Sequence, residues 1–155
     1  MASRLKKGSA ITAAAIACVS TFEGLRTVAY RDPIGIPTVC FGETRGVKMG
    51  DSYTVAQCKE MLGDGLKEFE TGMRACMKQP DQVPAGAYVA FLSFTWNVGT
   101  GAFCKSTLAK KLNSGDVTGA CNELPKWDKA AGFRLPGLTK RRTAERALCL
   151  NGIPT

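Results

Sequence analysis

Residues 84–99 constrain the fold more than any other stretch. Pro84 is followed by fourteen uncharged residues, Ala85 to Val98, and then by Gly99. Proline suits the first turn of a helix and glycine the position just past its end, so the segment predicts one helix over Ala85–Val98. Its face is apolar almost all the way round, through Ala87, Val89, Ala90, Phe91, Leu92 and Phe94. A helix without a polar face must be covered on every side. The rest of the 155 residues therefore has to wrap around it, and that length suits one domain spanning 1–155. No linker, repeat or low-complexity tract divides the chain.

The flanking segments are mostly helical in pattern. Residues 8–22 place Ile11, Ala14, Ala15, Cys18, Val19 and Phe22 on one stripe. Thr54 and Gln57 form a capping box ahead of a stripe through Cys58, Met61, Leu62, Leu66, Phe69 and Met73, which Gly63 and Gly65 weaken without ending it. Further helices are predicted at Ser106–Asn113, from Asp116 to about Leu124, and at Thr139–Leu150 after a loop with Trp127, Gly132, Pro136 and Gly137. Residues 30–51 differ. Pro33, Gly35, Pro37, Gly42, Gly46 and Gly50 break helices, and Ile36, Thr38, Val39, Cys40 and Phe41 favour strand. The fold class is α+β, mostly helical, with a small β-hairpin region near the N-terminus.

Histidine is absent. That excludes a Ser-His-Asp triad, a Cys-His pair and every His-ligated metal site, so no metal or cofactor is expected and acid–base chemistry falls to Glu, Asp, Lys, Tyr or Cys. The formal charge of +8 and a pI near 9.3 point to an anionic partner: nucleic acid, acidic lipid or cell-wall polymer. The basic residues are dispersed, with no basic stripe interleaved with aromatics, which argues against nucleic acid. Seven cysteines lie scattered without a CxxC pair, as in a disulfide framework of an oxidising compartment. The expected pairs are Cys40–Cys58, Cys76–Cys104 and Cys121–Cys149, leaving Cys18 odd; other pairings and buried free thiols stay open.

Two carboxylates stand out. Glu23 closes the first apolar helix between Phe22 and Leu25, where partial desolvation suits a general acid. Asp32 follows nine residues later in a polar turn beside Arg31, which favours its ionised form, and Thr38 lies six residues beyond. Two carboxyls in unlike environments are what glycoside hydrolysis requires. The spacing alone describes ordinary surface charges equally well.

Glu23-Gly24-Leu25-Arg26, Tyr30-Arg31-Asp32, Thr38 and Phe41-Gly42 resemble the catalytic segment of phage-type lysozymes, the small endolysins of glycoside hydrolase family 24. Their pattern of Glu, eight residues, Asp or Cys, five residues, Thr is met at Glu23, Asp32 and Thr38. Ser93-Phe94-Thr95-Trp96-Asn97-Val98-Gly99, Gly101-Ala102-Phe103, Ser106-Thr107-Leu108 and Gly137-Leu138-Thr139-Lys140-Arg141-Arg142 with Glu145 extend the resemblance over about residues 22–152. It implies a lysozyme-like fold and hydrolysis of the β-1,4 bond between N-acetylmuramic acid and N-acetylglucosamine. Glu23 would protonate the leaving oxygen, Asp32 would activate water or stabilise the oxocarbenium-like centre, and Thr38 would place that water. Trp96, Asn97 and Arg141 are candidate sugar contacts, although Trp96 serves as readily as a core anchor and Lys140-Arg141-Arg142 as a solvated face. Many members read Gly-His-Thr where this chain has Gly42-Glu43-Thr44, so Glu43 is a third carboxylate near the site, either orienting substrate or solvated.

The N-terminus carries Arg4, Lys6 and Lys7 ahead of fifteen uncharged residues, Gly8 to Phe22. Some endolysins bear an uncleaved signal-anchor of this character. Residues 8–22 are therefore expected to tether the chain weakly to the inner membrane and then to serve as the first core helix of a monomer in the host periplasm. The alternative is an enzyme held in the host cytoplasm until lysis. The competing function is a non-enzymatic cationic protein that acts on membranes or binds the cell wall.

Overall fold

Ala85–Val98 is a helix, and every residue from Gly86 to Thr95 is buried. The computed structural model describes residues 2–153. In it this helix, α3, is surrounded by α1 (Ala10–Phe22), α2 (Val55–Ala75) and α7 (Pro136–Asn151), with α7 its most extensive neighbour. Gly99 closes α3 at φ 95°, its N–H bonded to the Thr95 carbonyl at 2.8 Å. Leu66, Met73, Tyr88, Phe91, Leu92, Phe94, Phe103 and Leu108 are fully buried in one core.

Each neighbour begins where its capping chemistry places it. Ser9 caps α1, accepting from the Thr12 N–H, so the helix starts at Ala10 rather than Gly8. The predicted capping box is made: Thr54 Oγ1 accepts from the Gln57 N–H, and Gln57 Oε1 accepts from the Thr54 N–H. Ser106 caps α5 (Thr107–Asn113) and Asp116 caps α6 (Val117–Glu123). Helix α7 begins three residues before the predicted Thr139, with Pro136 in its first turn, where the missing N–H costs nothing. Two elements lie outside the sequence prediction. One is a short helix, α4 (Thr100–Lys105), held by the buried Phe103. The other is a two-residue-per-strand hairpin, β3 (Lys129–Ala130) with β4 (Phe133–Arg134), where a loop was expected.

The N-terminal hairpin pairs β1 (Arg26–Arg31) with β2 (Pro37–Cys40), so its first strand starts earlier than residue 30. Tyr30 faces Thr38, Arg31 faces Pro37, and an irregularity separates these pairs from Arg26 and Cys40. The three disulfides are Cys40–Cys58, Cys76–Cys104 and Cys121–Cys149, with Cys18 free. They tie β2 to α2, the end of α2 to α4, and α6 to α7. Burial raises the Cys18 thiol above its ordinary value of 9.0, which keeps it protonated.

The segment before α1 is docked as well. The buried carboxylate of Glu70, on α2, accepts from Ser3 Oγ, from the Arg4 N–H at 2.9 Å and from the Tyr88 hydroxyl. Arg4 lies over the Tyr88 ring at 4.4 Å and donates to the carbonyls of Pro80 and Val83. Leu5 is buried beside it.

The closest packing is backbone on backbone. A Cβ added at Gly86 would lie 2.5 Å from the Leu148 carbonyl oxygen and 2.6 Å from the Gly152 Cα, so the bare glycine lets α3 and the end of α7 meet. Gly86→Ala is expected to lower stability by about 1–3 kcal/mol through overpacking, despite alanine's better helix propensity. Gly101→Ala, whose new Cβ meets nothing within 4 Å, is expected to be neutral or slightly stabilising. Urea unfolding of both variants checks the contrast, and a Gly86→Ala variant as stable as wild type would contradict it.

Candidate active site

Glu23 is the C-cap residue of α1, in extended conformation, with its N–H on the Val19 carbonyl. From there its side chain meets α7. Arg141 Nη1 donates to Glu23 Oε1 at 3.1 Å, and Oε2 has no partner among the described residues. The Glu23 side chain is 28% exposed. Its surroundings are less apolar than the sequence predicts. Leu25 is 40% exposed, and the Phe22 ring lies under the Arg141 guanidinium, 5.3 Å from its centroid.

Arg141 belongs to a buried network. Its Nε donates to Glu145 Oε2 at 3.3 Å, and its Nη2 donates to the Ser93 carbonyl at 3.1 Å. Ser93 Oγ donates to Glu145 Oε2 at 2.6 Å. Arg142 Nη1 donates to Glu145 Oε1, its Nη2 to Asn97 Oδ1, and its Nε to the Trp127 carbonyl at 3.0 Å. Burial draws Arg142 below its ordinary value, against the pull of Glu145. The expectation of a solvated Lys140-Arg141-Arg142 face holds for Lys140 alone, because Arg141 is 4% and Arg142 1% exposed.

Asp32 and Thr38 meet through one residue. Asp32 Oδ1 accepts the N–H of Ile34 at 3.0 Å and of Ile36 at 2.9 Å, and the Asp32 N–H returns to the Ile36 carbonyl at 2.9 Å. Thr38 Oγ1 donates to that same carbonyl at 2.9 Å. Short polar side chains bond their own backbone in this way at tight turns, and here the bonds fix the hairpin tip. Arg31 was expected beside the Asp32 carboxylate. It instead donates to the Gly35 carbonyl at 3.1 Å. Asp32 Oδ2 has no partner among the described residues.

Glu43 and Trp96 line a cavity of about 360 Å³ with Phe41, Arg45, Glu68 and Phe69; Glu23, Asp32 and Thr38 are not among its lining residues. Trp96 packs on Phe69 at 4.9 Å between centroids. A Cβ on Gly65 would reach its ring at 3.2 Å, so that glycine makes room for the indole. Glu43 Oε1 accepts the N–H of Thr44 and of Arg45, and Arg45 spans to Glu68 at 2.6 Å. Asn97 is exposed on the last turn of α3. No group of three or more Cys, Asp or Glu among the described residues could hold a metal ion.

The phage lysozyme family model matches residues 20–145. The chain belongs to the phage lysozyme family. It is similar to the SAR-endolysin of Bacteriophage PS119, 40% identical over 131 residues that cover 84% of this chain and 77% of the relative. The SAR-endolysin of Pseudomonas phage phiKMV is 39% identical over 148 residues, covering 93% of this chain and 90% of the relative. The muramidase domain of SpmX from Asticaccaulis excentricus superposes with a TM-score of 0.82 at 26% identity, covering 91% of this chain and 97% of that one. As a phage lysozyme it is a glycoside hydrolase that breaks down peptidoglycan.

The matched region runs from just before Glu23 to Glu145, so it contains every side chain of the network. Sequence reasoning gave Glu145 and Ser93 no role in this phage lysozyme, and Arg142 only a place in a charged helical run. The available signal was spacing. Arg141 and Arg142 stand four and three residues before Glu145, which puts all three on one helix face. Glu145→Gln removes the charge that both guanidiniums share while keeping the shape. It is expected to cost about 3–5 kcal/mol, the usual cost of stripping one partner from a buried ion pair. Chemical denaturation measures this. A loss under about 1 kcal/mol, the range of exposed pairs, would show that the network does not bear on stability.

Proposed function

We propose that this phage lysozyme hydrolyses the β-1,4 bond between N-acetylmuramic acid and N-acetylglucosamine, with Glu23 as general acid. The observation that carries this reading is the division of labour on the Glu23 carboxylate. Arg141 holds Oε1, which fixes the side chain, and Oε2 is left to carry a proton to the leaving oxygen. Arg141 is thus a positioning residue. Asp32 supplies the second carboxylate: Oδ1 is committed to the turn, and Oδ2 is left to activate water or stabilise the oxocarbenium-like centre. Thr38 keeps an acceptor lone pair for that water while donating to Ile36. Trp96 and Glu43 would meet sugar at the cavity they share. Asn97, whose Oδ1 is taken by Arg142, would contribute its amide NH₂.

Glu23→Gln retains an acceptor for Arg141 and loses the proton donor. Release of reducing ends from purified peptidoglycan is expected to fall at least ~10²-fold, the scale of general acid catalysis. Asp32→Asn, which keeps the turn bonds of Oδ1, is expected to be similarly severe. Near-normal sugar-end release by Glu23→Gln would sink the assignment. Cell lysis that survives it would favour a membrane-active cationic protein.

The same proposal places the enzyme in the host periplasm. The three disulfides require an oxidising compartment, and the curated relatives are named SAR-endolysins. Among the described residues no helix is long and apolar enough to cross a membrane. Helix α1, at 13 residues, spans about 20 Å of a hydrocarbon core about 30 Å thick. Residues 8–22 would therefore hold a bilayer weakly and only in a conformation extended beyond α1, before docking on α3 as seen here. Cells expressing the chain without other phage proteins are expected to show full-length protein in membrane and periplasmic fractions; confinement to the cytosol would refute the tether.

A further inference from the structure

Helix α1 is poorly equipped to stay where it lies. Of its 13 residues only Ala15 and Val19 are buried. A helix of that length is marginal in water by itself, and Thr12, Val19, Ser20 and Thr21 are weak helix formers. Arg141 holds its C-terminal end through Glu23. The residues before it hold the other end. Leu5 is 2% exposed. Ser3 Oγ and the Arg4 N–H supply two of the three donors that meet the buried Glu70 carboxylate, and Tyr88 supplies the third. Ser3 Oγ also accepts the Leu5 N–H at 3.0 Å, which fixes the shape of this strap. Arg4 covers the Tyr88 ring and reaches the carbonyls of Pro80 and Val83, so the strap spans α2, α3 and the turn between them. Strap and helix form one piece. The Lys6 carbonyl accepts from the Ser9 N–H at 3.0 Å and from Thr12 Oγ1 at 2.7 Å, and Gly8 turns the chain between them at φ 76°.

The surface under the strap is polar: a carboxylate, a phenol and two carbonyls. Once uncovered, these groups exchange their bonds to the strap for bonds to water, so the strap can lift without orphaning a buried group. The three disulfides all lie outside α1, and they close the rest of the fold without it. We propose that Ser3–Leu5 are a latch: docked on Glu70 and Tyr88 they hold α1, and with it Glu23, on the body, and when they lift α1 leaves while the body stays folded. The regulatory meaning of the latch rests on the membrane tether proposed above. A chain tethered through residues 8–22 keeps Arg4, Lys6 and Lys7 on the cytoplasmic side, as their charge favours, and Glu70 on the other. The bilayer then separates the latch from its site. Docking and tethering exclude one another, and Glu23 reaches Arg141 only in the docked state.

Cys18, on α1 and outside the disulfides, reports the opening. Purified protein is treated with iodoacetamide at fixed pH, and amide exchange in α3 is followed in parallel. Leu5→Ser alters neither the charge of the strap nor any residue of the body. It is expected to speed Cys18 alkylation about tenfold or more, the scale of one buried leucine, with α3 protection unchanged. Ser3→Ala and Glu70→Gln are each expected to speed it about tenfold, the scale of one hydrogen bond to a charged group. The double variant is expected to fall short of the product of the two, because both act on the same bond. Lys7→Gln, whose side chain is exposed, is expected to label at the wild-type rate. Wild-type labelling of Leu5→Ser and Ser3→Ala would overturn the latch. So would faster labelling matched by faster α3 exchange, which would mean that the whole fold opens. In cells, Leu5→Ser is expected to shift protein from the periplasmic to the membrane fraction, and an unchanged distribution would overturn the exclusion between docking and tethering. If wild-type protein stays in the cytosol the tether falls, and Cys18 alkylation still decides the latch.

Discussion

Glu145, at zero exposure, is met by two guanidiniums and a hydroxyl, and much of the molecule hangs on that meeting. A lone buried carboxylate is costly, and two lone buried arginines are worse. Together, with Ser93 and Asn97 taking remaining bonds, they form a hydrogen-bonded group that fastens α7 to α3. Fork-shaped guanidiniums are suited to this, since each offers several donors in a fixed plane. Arg141 has a donor left for Glu23, and Arg142 has one for the Trp127 carbonyl. The Glu23 end of α1 and the base of the second hairpin are therefore held from one ionic centre.

That arrangement explains how a carboxylate at the end of a helix, next to a glycine, can be placed reliably. Helix ends fray, and Glu23 has only its own N–H bond to Val19 to hold it locally. Orientation comes instead from α7. The second carboxylate is held differently: Asp32 and Thr38 are set by the backbone of Ile36 at the tip of a hairpin whose other end the Cys40–Cys58 disulfide ties to α2. Two separate devices, one ionic and one made of turn hydrogen bonds, fix the two carboxylates proposed for catalysis.

Elements with burial on one face, or on all faces, were legible from sequence. Helix α3 is announced by fourteen uncharged residues between Pro84 and Gly99, and α2 by its capping box and stripe. The Glu23, Asp32 and Thr38 spacing was legible through family resemblance rather than through chemistry alone. The β3–β4 hairpin was not, since residues exposed on both faces carry no alternation to read. Helix α4 is too short for periodicity and depends on Phe103 finding Phe94, 6.4 Å away in the fold. Arg141 and Arg142 read as a solvated run because charged residues seldom lie fully inside unless paired, and their partners only come together in three dimensions.

The bond between Arg141 and Glu23 joins residues 118 positions apart. A chain emerging from the ribosome presents Glu23, Asp32 and Thr38 early, and for most of its synthesis it holds Glu23 without the side chain that orients it. Only when α7 has emerged can the two ends of the polypeptide close on each other. Any fragment that stops short of residue 141 lacks this clasp, whatever else it folds. For a protein that dismantles the wall of the cell producing it, synthesis through residue 141 is thereby a condition of orienting the carboxylate proposed as its general acid.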